Sequence, residues 1–405
     1  PLLITWLVVE AFEAKALKNK LILAGISGLA VGLFSYAWIG WWYIFHLITA
    51  GLLGYIYFIV LEKKLKVESW EWYYKVLYFI IPFLAVFLFF LTSNTVIKGF
   101  GALLFLAWGL YFLYDAIKYY TKNKQLKKKM NYAVLPFITY FLSSSLFVII
   151  ISSFKRLTSA FTQPLGFTAI QESTKADLWP NVYTTVAELN TASLNNIVQN
   201  IGFGIAQAKI FFLIALLGIA ASFVKKRMHR NDWIILGSTL IFGIVLLQNL
   251  KSSVLIFTTL MTLPLLVGIY FSRDRDIDVK YAIIMTFWFV GTMYSSTQGV
   301  RFILLMVPVF AVAVGIAFGK FFEIIESYIN SEFKISKVAK FAITAILVVV
   351  LLSFFYKPID RSYELADNEV PSFDDAWYST LTAIKNDSQP DAIINSWWDF
   401  GHWFK

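Results

Sequence analysis

The sequence predicts an all-α polytopic membrane protein, and three observations carry that prediction. Hydrophobic residues make up 59% of the 405 and charged residues only 15%, with a mean hydropathy of +0.67, a balance far from that of a water-soluble domain. Apolar windows of about 20 residues, the length a helix needs to cross a hydrocarbon core about 30 Å thick, recur along most of the chain. Lysine and arginine gather in the short connections between those windows. Within lipid every N–H and C=O must be paired inside its own segment, so windows this long form helices rather than the short alternating strands of a barrel.

The apolar windows fall approximately at residues 1–13, 21–38, 43–61, 74–93, 98–117 and 132–153, and again at 207–224, 232–250, 253–271, 281–296, 302–319 and 341–356. That makes about 12 spans. Basic residues sort to alternate connections, because Lys or Arg at the centre of a span costs roughly 3 kcal/mol on insertion. Lys15, Lys18 and Lys20 share a side with Lys63, Lys64 and Lys66, then with Lys122 to Lys129, Lys225 to Arg230, Arg273, Arg275, Lys334 and Lys337. The opposite side is expected to be external. It holds the turn Trp38-Ile39-Gly40-Trp41-Trp42, whose tryptophans suit an interface belt, the long loop 154–206, the turn at Arg301 and everything after about 357. The formal charge of +10 follows from this topology and does not indicate a nucleic-acid partner. With no cysteine, disulfides and thiolate metal sites are excluded.

A loop of some fifty residues is unusual in a compact protein and points to function. After 356 the chain turns polar. Residues 371–386 allow an amphipathic helix capped by Ser372, and Asp391 to Ser396 read as a strand. The division expected is a transmembrane domain at 1–356, followed by the opening of a soluble α/β domain at 357–405. Because the chain starts at Pro1 and stops at Lys405 in mid-segment, a piece of a longer protein is expected.

The most specific string is Trp397-Trp398-Asp399-Phe400-Gly401, followed by His402 and Trp403. A carboxylate flanked by indoles can accept from a small hydroxyl while the indole N–H groups donate to the same oxygen, and such a site rejects a ligand lacking that hydroxyl. The string resembles the WWDYG signature of the catalytic subunit of oligosaccharyltransferase, of the archaeal or bacterial single-subunit type. Phe400 departs from the usual tyrosine but keeps the ring. The resemblance implies a C-type glycosyltransferase fold in which Trp397, Trp398 and Asp399 bind the serine or threonine of an acceptor Asn-x-Ser/Thr.

Two further features fall on the same side. Thr185-Val186-Ala187-Glu188, in the long loop, is similar to the family's short motif of a threonine or serine three places before a glutamate. Thr-x-x-Glu also reads as a helix capping box. By the resemblance Thr185 contributes to acceptor binding, and Glu188 helps hold a divalent metal and the acceptor amide at the catalytic centre. Mn²⁺ or Mg²⁺ suits such oxygen ligands, and the other acidic ligands are expected upstream of Pro1. Arg301 follows Gln298-Gly299-Val300 at the start of a span. Its bland reading is a snorkelling arginine; its functional one is a guanidinium fork on phosphate oxygens, which the resemblance assigns to the pyrophosphate of a lipid donor.

The implied activity is metal-assisted, inverting transfer of a glycan from a dolichyl or polyprenyl (di)phosphate lipid to asparagine of a translocated polypeptide. The expected location is the plasma membrane, among membrane lipids, with the active face extracytoplasmic. Other polar residues are expected to be structural: Glu10 and Glu13 as caps or partners of Lys15, His46 as a packed or interfacial histidine, and Asp115 beside Lys118. Asn386-Asp387-Ser388 is itself a sequon. A different C-type glycosyltransferase using lipid-phosphate sugars would not need the Trp-Trp-Asp string. A transporter would place broken helices and ionisable residues near the midplane, whereas here the charges sit at span ends. A non-catalytic membrane subunit is the remaining alternative.

Overall fold

A computed structural model of the chain describes residues 1–67, 76–82, 84–85, 95–122, 124–162, 191–201, 205–224, 228, 230–250, 261–262, 268, 279–332, 337–369, 373–389 and 391–394. It is helical, with no strand among the described residues. Two units are distinguished, Pro1–Lys334 and Ile335–Lys405.

The first unit contains α1 (Leu2–Glu13), α2 (Leu17–Ala37), α3 (Trp42–Val67), α4 (Thr95–Lys122), α5 (Lys124–Ile151), α6 (Leu194–Ile201), α7 (Ile205–Ala221), α8 (Arg230–Gln248), α9 (Lys280–Gln298) and α10 (Ile303–Glu332). Six described stretches are long and apolar enough to cross a bilayer: Leu17–Ala37, Ile39–Leu61, Gly99–Lys118, Asn131–Ile151, Arg230–Gln248 and Val300–Tyr328, with Lys209–Ala221 a shorter apolar helix. The protein is therefore a multi-pass helical membrane protein. Most of the windows at 74–93 and 253–271 lies outside the described residues.

Helix α9 coincides with the predicted window 281–296 but is less apolar than the spans around it, and its position explains why. Trp288, Phe289 and Met293 are fully buried, as are the polar Thr286, Thr292, Ser296 and Thr297. A helix walled by other helices need not present hydrocarbon to lipid. Its hydroxyls are satisfied on their own helix: Thr286 donates to the Ala282 carbonyl at 2.7 Å, Thr292 to that of Trp288 at 2.7 Å and Ser296 to that of Thr292 at 2.8 Å.

Around α9 the helices close by small residues and aromatic rings. Gly51 and Gly54 of α3 face Ile284, Ile283 and Phe287 of α9, and Gly291 of α9 faces Leu47, so the two helices run antiparallel. Phe212 of α7, Phe289 of α9 and Phe310 of α10 form a three-ring cluster with centroids 5.6, 6.4 and 6.5 Å apart. Gly28 and Gly32 of α2, four residues apart, lie against Ser143, Ser144 and Phe147 of α5. A Cβ at Gly28 would fall 2.6 Å from the backbone nitrogen of Ser144, so only glycine lets the two helices approach this closely.

At the lysine-rich end the polar residues pair across helices. Glu13 accepts from Lys280 at 2.8 Å and from the Tyr281 hydroxyl, tying the end of α1 to the start of α9. The expected partner, Lys15, is not the one used; antiparallel packing brings α9 closer to Glu13 than its own chain neighbour. Buried Lys20 donates to the Phe12 carbonyl at 2.5 Å and covers the open C-terminus of α1. Buried Asp115 accepts from the Tyr78 hydroxyl.

In the second unit α11 (Lys337–Asp367) runs through the window 341–356 into polar sequence, and α12 (Asp375–Asp387) matches the predicted amphipathic helix. Its cap is Asp374, whose carboxylate accepts from the Trp377 backbone N–H at 2.9 Å, rather than Ser372. The helix starts at Asp375, later than the pattern allowed, so the residue in the capping position is Asp374. Ala392–Ile394 carry no strand, since a strand exists only through pairing and no described segment pairs there.

Candidate functional site

The lysine-poor end of the first unit is assembled by parallel and antiparallel helix pairs whose ends meet there. Residues 154–162 form a short helix capped by Ser153, whose hydroxyl accepts from the Arg156 N–H at 3.1 Å. The Arg156 guanidinium donates twice to the carbonyl of Ser35, from Nε at 3.1 Å and from one terminal nitrogen at 3.0 Å, covering an acceptor left open by the end of α2. The Ser35 hydroxyl meets that of Ser152 at 2.9 Å. The sequence reading passed over Arg156, because a basic residue in a loop carries no signal of a partner 121 positions away in the chain.

His46, one turn into α3, lies with Nε2 2.8 Å from the carbonyl oxygen of Ala160, between the rings of Phe45, Trp42 and Phe161. A carbonyl only accepts, so the bond requires the proton on Nε2. The packed role expected for this histidine is the one observed. In the turn before it, Trp41 is fully buried and packs on Phe45, while Trp38 meets Phe34 at a tilt and Tyr43 edge to face. Trp41 therefore belongs to the core and not to an interface belt: the tight turn Ile39–Trp41 folds its indole inward.

The other wall is built from α6, α9 and α10. Ser193 caps α6, accepting from the Asn196 N–H at 3.1 Å, and the buried Leu194, Ile197 and Val198 share its apolar face, which packs on α7, α9 and α10. The later part of the long connection thus includes a short helix, Leu194–Ile201, packed on the bundle.

Arg301 sits on the tight turn Val300–Phe302 that joins α9 to α10. The turn is held from both sides: the Phe302 N–H donates to the Gly299 carbonyl at 3.0 Å, and the buried Ser296 hydroxyl reaches the Phe302 carbonyl at 3.3 Å. Phe302 packs against the core, whereas Arg301 is exposed. An exposed guanidinium at the start of a helix, where the backbone dipole is positive, suits an anionic group. Thr185 and Glu188 lie outside the described residues, as do Trp397, Trp398 and Asp399. Among the described residues no three His, Asp or Glu side chains gather to hold a metal ion, so the described part of this chain does not by itself make a divalent-metal cage.

Comparison with known proteins bears on the whole chain. It is 23% identical over 470 aligned residues to the dolichyl-phosphooligosaccharide-protein glycotransferase of Methanococcus voltae, covering 99% of this chain and 41% of that protein. The chain is a homologue of this glycotransferase. It is also 22% identical over 320 aligned residues to the protein of the same name from Methanocaldococcus jannaschii, covering 65% of this chain and 29% of the relative. The chain thus spans less than half the length of these glycotransferases. No family model matches it, and no solved structure matches it significantly.

Proposed function

We propose that this chain supplies the membrane-embedded part of an oligosaccharyltransferase, which moves a glycan from a dolichyl or polyprenyl (di)phosphate lipid to asparagine in Asn-x-Ser/Thr of a translocated polypeptide. The observation that carries the reading is similarity to a dolichyl-phosphooligosaccharide-protein glycotransferase along 99% of the chain. Arg301, exposed at the lysine-poor end on a turn pinned by Ser296, supports it.

In the proposed reaction the acceptor amide nitrogen attacks the sugar carbon, the bond from that carbon to the phosphate oxygen breaks, and the nitrogen gives up a proton. An amide is a poor nucleophile because its lone pair is delocalised into the carbonyl, so a carboxylate must engage its N–H groups. Glu188 takes that role. Arg301 offsets the negative charge that develops on the departing phosphate. Trp397, Trp398 and Asp399, with Thr185, hold the acceptor hydroxyl and so position its asparagine. Mn²⁺ or Mg²⁺ would be held in part by Glu188 and would add positive charge at the leaving group. The active face would be extracytoplasmic, in the plasma membrane.

The test uses the full-length protein that contains this chain, a polyprenyl-diphosphate-linked glycan and a fluorescent Asn-x-Thr peptide, with Mn²⁺ present. Arg301→Ala is expected to raise KM for the lipid donor about tenfold or more, the effect of losing a charged hydrogen-bonding group, with little change for the peptide. Asp399→Ala should raise KM for the peptide instead, and Glu188→Gln should abolish transfer. Unchanged turnover in Glu188→Gln, or both binding effects falling on the donor, overturns this division of roles.

A further inference from the structure

The triplet Asn386-Asp387-Ser388 is the one Asn-x-Ser/Thr in the 405 residues, and it straddles the end of α12. Asn386 and Asp387 close the helix. Ser388 caps it, its N–H donating to the Ile384 carbonyl at 3.0 Å and its backbone already extended at φ −85° and ψ 145°. All three residues are exposed. Among the described residues nothing engages the side-chain amide of Asn386 or the hydroxyl of Ser388.

Two features of this placement suit a modified asparagine. The first is the face it occupies. The partly buried residues of α12 are Trp377, Leu381 and Ile384, spaced i, i+4, i+7 along one stripe. Asn386 comes nine residues after Trp377, which at about 100° per residue is half a turn from that stripe. A bulky group on its amide therefore points away from whatever the stripe packs on. The second feature is the helix end. In a helix, residues two apart point about 200° from each other, whereas on extended backbone they line one face. An asparagine amide and a hydroxyl two places on can thus meet one enzyme surface only from extended chain. Ser388 is already extended, and Pro390 bars the helix from running on. Only Asn386 and Asp387 have to leave the helix, at an end where backbone hydrogen bonds open at little cost in free energy.

We propose that Asn386 is a glycosylation site of this protein, with the enzyme's own lipid-linked glycan as donor. This rests on the oligosaccharyltransferase reading and on the expectation that the chain after about 357 is external, where donor and acceptor meet. In the step, the Asn386 amide nitrogen forms a bond to the sugar carbon. The bond from that carbon to the phosphate oxygen breaks, its electron pair stays on the phosphate, and the amide proton passes to the carboxylate that engages the amide. The product carries its glycan on the face of α12 opposite the apolar stripe.

The test has two arms, both on the full-length protein. Protein purified from the cells that make it is digested with trypsin, and the fragments containing Asn386 are sequenced by mass spectrometry. The expected result is one glycan mass on Asn386, lost in Ser388→Ala and kept in Ser388→Thr. In the second arm, protein produced without lipid donor is incubated with a polyprenyl-diphosphate-linked glycan, Mn²⁺ and a fluorescent Asn-x-Thr peptide. Both the peptide and Asn386 should gain the glycan; Glu188→Gln should leave both unmodified, and Asn386→Gln should glycosylate the peptide as the unaltered protein does. A modified peptide beside an unmodified Asn386, in a protein that also carries no glycan there in cells, overturns this inference and leaves the proposed function standing. A glycan that persists in Ser388→Ala overturns it as well. If neither peptide nor Asn386 is modified, the proposed function fails, and this inference with it.

Discussion

The imidazole of His46 on α3 and the carbonyl of Ala160 in the helix 154–162 are joined by a 2.8 Å hydrogen bond across 114 positions of sequence. With Arg156 on Ser35 it fixes the first part of the long connection to the bundle. His46→Ala is expected to leave the fold intact but to raise amide hydrogen exchange selectively at residues 154–162. The loss is about 1 kcal/mol for one neutral hydrogen bond. Unchanged exchange there would show that packing of Phe161 alone holds the segment.

Arg156 makes the stronger anchor, because both of its bonds are charge-assisted. Arg156→Ala should lower stability by about 1.5 kcal/mol, read as a fall in the midpoint of thermal unfolding of the detergent-solubilised full-length protein. Arg156→Lys should recover only part of it, since an ammonium cannot present the fork that meets one carbonyl from two nitrogens. Full recovery would mean that charge rather than geometry matters.

Gly218 of α7 sits directly on the backbone of α10: a Cβ there would lie 1.8 Å from the carbonyl oxygen of Ala313. Backbone cannot rotate away as a side chain can. Gly218→Ala should therefore destabilise by about 1–3 kcal/mol through overpacking. By contrast Gly315→Ala, with nothing within 4 Å of its Cβ, should be neutral or slightly stabilising in the same measurement.

The pair Glu13 and Lys280 is unequal: the Lys280 side chain is 9% exposed and that of Glu13 51%. Removing the exposed partner leaves a charge in a poorly solvated place, while removing the buried one leaves a carboxylate that water can reach. Glu13→Gln is thus expected to lower thermal stability more than Lys280→Met, by about 1 kcal/mol after allowing for solvent screening of the half-exposed partner. The reverse order would show that the Lys280 ammonium over the ring of Tyr281 outweighs the ion pair.

Much of the fold was legible without coordinates. The helices α2, α3, α5, α7 to α10 and α11 coincide with apolar windows because, in lipid, a long run of apolar residues has no structure open to it but a helix. The amphipathic α12 was legible as well, although its cap fell on Asp374. Less was legible where the answer depends on a partner. Periodicity could show neither that Trp41 turns inward nor that Glu13 pairs with Lys280. The residues with most chemical character, Glu188, Asp399 and the two tryptophans before it, were found by spacing and resemblance and lie outside the described residues.

The sequence by itself determined a helical, multi-pass membrane protein and the side on which lysines collect. These follow from composition and local order, since transfer of apolar segments into lipid and backbone satisfaction act on each segment alone. The tertiary structure decided which helix is enclosed and which faces lipid. It set α9 at the centre, packed α6 on the bundle, and clamped the loop by Arg156 and His46. Those outcomes depend on close approach at glycines and on hydrogen bonds between distant positions, neither of which has a local signature in the chain.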